Sequence, residues 1–286
     1  MARLGIYEKA LPKNISWKER LSIAGSLGFD FVEMSVDESD ERLGRLSWTR
    51  EQRKEVLDAI FDEGVAMRSM CLSGHRRYPF GSADPMVRAQ GMRIMQQAVD
   101  LAAQLGIRTI QLAGYDVYYE EKTSLSRAYF IENLQKATEM AAAAEVMLAI
   151  EIMDDPFINS ITKFNTIKRQ IHSPWLQVYP DLGNLCAWPA NDPLAELELG
   201  INEITGIHVK DTLKVTPDFP GKFKEVPWGS GCVDFLGCFK TLKRLDYEGN
   251  FMLEMWSETS DDPVAEVKDA LGFIMPIFKE AGYEFN

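Results

Sequence analysis

The sequence predicts a single-domain (β/α)8 barrel spanning residues 1–286. Three observations lead there. One unit recurs along the chain: an amphipathic helix, a stop containing glycine, then a short apolar strand. Eight apolar runs fit its strand, near residues 4–8, 29–36, 67–73, 108–113, 147–153, 176–181, 205–210 and 250–255. Most of these runs are continuous rather than alternating, as parallel strands covered on both faces require. Eight such units bury every strand edge by closing on themselves. The open doubly wound sheet is the weaker alternative, because no G-x-G-x-x-G turn follows the first strand.

Taken in order, LGIYEKAL carries the first strand. Ser16, with Glu19 three residues on, has the pattern of a capping box opening a helix that stops at Gly28. SLGFDFVEM leads from that stop into the second strand. Gly64 in DEGVAMRSM and Gly106 in QLGIRTIQL end the next two helices, as a left-handed C-cap demands. Val87, Gly91, Ile94, Ala98, Leu101 and Leu105 advance by four and three, forming one apolar stripe. Phe130, Leu134, Ala137, Ala141 and Ala144 repeat the pattern. AEVMLAIEI, ITGIHVKD and YEGNFMLEM supply later units more loosely.

Composition narrows the function. Apolar residues make up 46% of the chain, enough for a large core, and the net charge is −12. That charge opposes non-specific binding to nucleic acid or an anionic membrane. No apolar run is long enough to span a bilayer, and the N-terminus has no secretory apolar region. Cys71, Cys186, Cys232 and Cys238 show no C-x-x-C spacing, so reduced thiols in a cytoplasmic enzyme are expected. The expected partner is a small molecule.

In barrels of this kind the chemistry sits at the C-terminal ends of the strands. Glu33 ends FDFVE, Glu151 ends MLAIE, Asp181 ends QVYPD, His208 follows TGI, and Glu254 ends FMLE. A carboxylate in apolar sequence is costly unless it is paired or bound to a cation. Pairing each with a loop Arg or Lys is the simpler account for any one of them. For Glu151, Asp181, His208 and Glu254, at equivalent places in four strands, a shared divalent ion is the better account. Three carboxylates and one imidazole suit Zn²⁺ or Mn²⁺, with Mg²⁺ and Co²⁺ also compatible. Lacking thiolates, the site reads as catalytic.

Other candidates surround this quartet. Lys210 lies two residues beyond His208 and Trp256 two beyond Glu254, on the same strand faces. Lys210 neutralises a phosphate or oxyanion, or pairs with Asp211 or Glu225. His75, followed by Arg76 and Arg77, reaches the rim from strand 3, and Lys9 from strand 1. Arginine suits phosphate oxygens. His172 reads as a surface residue. The run Tyr115-Asp116-Val117-Tyr118-Tyr119 caps the pocket or forms a contact of a homodimer, the expected assembly.

At these residues the chain resembles a known family. LGIYEKAL, FDFVEMSVDE, IQLAGYDVYYE, IEIMD, YPDLGN, HVKDT and EMWSE together resemble the L-xylulose- or L-ribulose-5-phosphate 3-epimerases of L-ascorbate and related sugar catabolism. The resemblance runs nearly end to end. It implies a xylose-isomerase-like barrel whose Glu, Asp, His and Glu metal ligands map onto Glu151, Asp181, His208 and Glu254. Asn184 stands where free-sugar epimerases of this wider group carry a substrate-binding histidine. LSGHRR replaces LSAHRR, and PWGSG replaces PFGEG with loss of a glutamate.

The implied reaction inverts C3 of a ketopentose 5-phosphate through an enediolate, with Lewis-acid help from the ion. Glu151 and Glu254 would act as bases on opposite faces, Lys9, Arg76 and Lys210 would bind the phosphate, and Glu33, His75 and Asn184 would be further substrate contacts. A hexulose-6-phosphate isomerase using the same metal site is the nearest alternative. An endonuclease IV-like enzyme conflicts with three histidines and a charge of −12. A sensor that does no chemistry conflicts with the retained glutamates.

Overall fold

The structure is a computed structural model that describes residues 2–285. Its eight strands are β1 (Arg3–Tyr7), β2 (Phe31–Val36), β3 (Ala66–Leu72), β4 (Thr109–Ala113), β5 (Met147–Glu151), β6 (Leu176–Tyr179), β7 (Gly206–Val209) and β8 (Asn250–Leu253). Neighbours pair in parallel in the order β6-β5-β4-β3-β2-β1-β8-β7. Parallel bridges Val178–Ile204 and Asp181–His208 join the remaining edges, so the sheet closes into the expected barrel. The helices are α1 (Trp17–Ser26), α2 (Asp40–Leu43), α3 (Arg50–Glu63), α4 (Pro85–Leu105), α5 (Ser124–Ala143), α6 (Ile161–Lys168), α7 (Leu182–Ala187), α8 (Pro193–Gly200), α9 (Phe235–Arg244) and α10 (Pro263–Glu280).

Local chemistry sets the element ends. Ser16 and Glu19 form the reciprocal capping box that opens α1. Gly64 and Gly106 cap α3 and α4 with φ of 67° and 75°, where a side chain would be strained. The apolar stripe of α4 is buried at Gly91, Ile94, Ala98, Leu101 and Leu105.

The barrel interior is filled by rings lying over glycines. A Cβ on Gly5 would meet the Phe31 ring at 2.2 Å, and one on Gly206 the Tyr179 ring at 2.7 Å. Both aromatics are buried, and they plug the barrel beneath the polar residues of the strand ends. Burial there raises the stakes for any charge placed beside these rings. Among the described residues, no helix is long and apolar enough to cross a membrane.

Candidate metal centre and active site

Four adjacent strands deliver the quartet. Glu151 is the last residue of β5, His208 lies within β7, and Glu254 directly follows β8. Asp181 follows β6 and caps α7, its Oδ1 accepting from the Asn184 backbone N–H at 2.7 Å. Each residue offers one ligand atom, and these atoms lie within 4.8 Å of one another, all buried. Ligands about 2.0–2.2 Å from a shared ion would stand roughly 3–4 Å apart, so the group needs only slight contraction.

Charge makes the same argument. His208 Nδ1 lies 3.1 Å from Glu151, 3.7 Å from Glu254 and 3.8 Å from Asp181. Lys210 Nζ sits 2.9 Å from Asp181 and 2.8 Å from Glu254. One ammonium and one imidazole thus face three carboxylates. Burial pushes the Asp181 carboxyl up to about 8, which Lys210 only partly offsets and Glu254 and Glu151 reinforce. Burial also raises Glu151, against the pull of His208. At Glu254 burial pushes upward too, but Lys210 and His208 outweigh it and hold the carboxyl at about 2. The His208 ring is raised because Glu33, Glu254 and Glu151 override the opposing effect of burial. Asp181 Oδ2 is buried with no donor aligned on it as a hydrogen bond, although Lys210 lies close. That oxygen, met only by the Lys210 ammonium and set beside two more carboxylates and an imidazole, completes a donor set that could hold a divalent cation.

Above the quartet lies a cavity of about 250 Å³, lined by Lys9, Arg76, Asn184, Lys210, Lys224 and Trp256 together with Glu151 and Glu254. Lys9 is held by Asp37 at 2.5 Å. The partners expected for Lys210 are replaced by Asp181 and Glu254, because Asp211 instead accepts the backbone N–H groups of Gly229 and Gly231 at 3.0 and 2.8 Å. Asn184 donates to Ile152 O at 2.8 Å and keeps a buried, unpartnered Oδ1. The Arg76 guanidinium lies 5.1 Å from the Tyr118 ring centre, and Lys224 Nζ lies 5.1 Å from that of Trp256. Within the run at 115–119, Tyr115 and Val117 are buried while Tyr118 and Tyr119 are exposed.

Two expected substrate contacts do not reach the cavity. Glu33 is the third residue of β2 and the strand continues to Val36, so its carboxylate lies behind His208 rather than at the cavity. There its Oε1 meets His208 Nε2 at 3.0 Å. His75 diverges from Arg76 within the tight turn Ser73–Arg76 that follows β3. Its ring packs on Phe80 and contacts Gly91 O at 3.0 Å, and burial lowers its pKa to about 4, leaving it neutral.

Sequence reasoning missed Gln111, whose amide donates to Glu151 Oε2, and Lys224, which a loop carries over the cavity. A polar residue inside the apolar run TIQLA could have revealed Gln111. Nothing in the loop sequence marks Lys224.

Comparison with known proteins places this geometry. A family model for the xylose isomerase-like TIM barrel matches residues 21–277. The chain is 56% identical to SgbU of Escherichia coli K12 over 98% of both chains. It is 54% identical to the L-ribulose-5-phosphate 3-epimerase UlaE of Shigella boydii, covering 98% of this chain and 96% of that one. A solved L-ribulose 3-epimerase superposes with a TM-score of 0.77 at 21% identity, covering 98% and 96% of the two chains, which supports the fold alone. The chain therefore belongs to the xylose isomerase-like TIM barrel family and, within it, to the L-ribulose-5-phosphate 3-epimerases.

Proposed function

We propose that this protein is a metal-dependent isomerase that interconverts L-xylulose 5-phosphate and L-ribulose 5-phosphate by inverting C3. The observation that carries this reading is the buried quartet of three carboxylates and an imidazole beneath an open cavity. Glu151, Asp181, His208 and Glu254 would hold one divalent ion, Zn²⁺ or Mn²⁺ being best matched to the donors. When bound, such an ion supplies Lewis-acid stabilisation of the negative charge that develops on the ketose oxygens.

The chain's own side chains do the rest. Glu151 and Glu254 come from β5 and β8, the outer two of the four strands, one to take the C3 proton and the other to return a proton to the opposite face. Positioned general acids and bases of this kind contribute about 10²–10⁴-fold. Gln111 steadies Glu151, and Lys210 keeps Glu254 ionised. Asp181 and His208 serve chiefly as holders. Asn184 Oδ1 accepts from a substrate hydroxyl. Arg76 and Lys224 form no ion pair among the described residues, and they bind the 5-phosphate with Lys9. Glu33 and His75 have no substrate role. The enzyme works in the cytoplasm, and Tyr118 and Tyr119 offer the exposed surface for a homodimer.

The test is incubation with L-ribulose 5-phosphate in deuterated water, followed by NMR. Deuterium at C3 is expected. Label confined to C1 would show aldose–ketose isomerisation instead.

A further inference from the structure

Glu33 lies outside the cavity, yet it is fully buried behind His208. Its Oε1 is 3.0 Å from His208 Nε2, and its Oε2 accepts from Ser69 Oγ at 2.5 Å and Tyr179 O–H at 3.4 Å. The other ring nitrogen, Nδ1, is the one that faces Glu151, Asp181 and Glu254. The imidazole is thus strung between one carboxylate below and three around the quartet. We propose that Glu33 is a positioning residue that fixes the His208 proton on Nε2 and so turns the Nδ1 lone pair toward the ion. The inference rests on the metal-centre reading given above.

An ionised carboxylate only accepts, so the nitrogen facing it must carry the proton. Both ring nitrogens face carboxylates, so Nδ1 becomes a ligand only when a cation displaces its proton, and the one remaining N–H then stays on Nε2 against Glu33. Ser69 and Tyr179 occupy one oxygen of Glu33 and leave the other for the ring. The backbone is built to allow this. The β2–β3 register shifts between Val32 and Glu33, so that Val32 pairs with Met67 but Glu33 with Ser69. Without that irregularity Arg68 would stand opposite Glu33, and the hydroxyl donor would be lost. Such bulges re-aim side chains next to active sites. A carboxylate held this firmly also orients the ring and raises its basicity as a ligand.

The substitution Glu33→Gln discriminates sharply. Ser69 and Tyr179 would hold the amide oxygen, so the amide NH₂ would face His208 Nε2 and push the ring proton to Nδ1. The experiment titrates Zn²⁺ into metal-stripped full-length protein by calorimetry. It also records ring ¹⁵N NMR spectra of the wild-type zinc form, readable because the chain has only three histidines. The expected results are stoichiometric zinc binding by the wild type with the His208 proton on Nε2, and affinity lowered about 10–100-fold in Glu33→Gln. Glu33→Asp, which keeps an acceptor-only group, should recover part of that loss. Unchanged affinity in Glu33→Gln, or zinc on Nε2 in the wild type, would overturn the role of Glu33. Should Glu33→Gln fail to fold, the wild-type spectrum decides. If the wild type binds no stoichiometric zinc, the metal centre itself is wrong.

Discussion

Two buried charge clusters sit at the same end of this barrel, and they are balanced in opposite ways. Around Glu8, which is fully buried, Arg45 makes a two-pronged pair at 2.6 and 2.7 Å, with Arg42 at 3.6 Å and Arg20 at 4.0 Å. Arg42 also reaches Glu258 at 2.5 Å and Asp37 at 3.2 Å, and Lys9 binds Asp37. Cations there slightly outnumber carboxylates. At the quartet the excess is negative, with Glu33 adding a fourth carboxylate to the three. Buried carboxylates that are all met by cations need no further partner, whereas an excess of buried carboxylates marks a candidate cation site.

The largest expected effect breaks the unbalanced cluster. Glu151→Gln removes one carboxylate and keeps the shape and the acceptor for Gln111. Turnover should fall by about 10²–10⁴-fold while the metal-free protein keeps its melting temperature, because a repelling charge has gone. Full activity would remove Glu151 from the mechanism. A large loss of metal-free stability would show that the cluster is structural, like its neighbour.

Glu8→Gln should do the reverse. It leaves the arginines without their buried counter-charge and should cost about 3–5 kcal/mol in denaturant unfolding, with turnover per folded molecule preserved. Burial opposes ionisation of Glu8, but Arg45, Arg20 and Arg42 outweigh it and hold the carboxyl below its usual range. The unfolded chain therefore binds more protons as pH falls through about 4.3, and stability from this group is lost on that side. The variant should show a shallower decline in stability below that pH. An unchanged slope would count against Glu8 as the acid-sensitive group.

The comparison also explains what could be read from the sequence. Strand identity and the quartet were legible because each followed a local rule: apolar run, glycine stop, charged residue at the end. Glu33 was placed with the strand-end charges although the expected strand 29–36 runs three residues past it, and that interior position sets its carboxylate behind His208. His75 and Arg76 are adjacent in sequence, but a turn sends one to Gly91 and the other to the cavity. The Glu8 cluster escaped notice altogether, since its arginines come from α1, α2 and the turn after it, and only tertiary packing joins them. Local pattern tells which residue types stand at a strand end, and packing decides how their charges are met.

The negative excess of the quartet calls for one divalent ion. Anomalous diffraction at the absorption edge of zinc, from crystals grown with it, tests this most directly. A single strong peak is expected about 2.0–2.2 Å from one oxygen each of Glu151, Asp181 and Glu254 and from Nδ1 of His208. No peak there, or one bound elsewhere while Lys210 alone still spans Asp181 and Glu254, would contradict it.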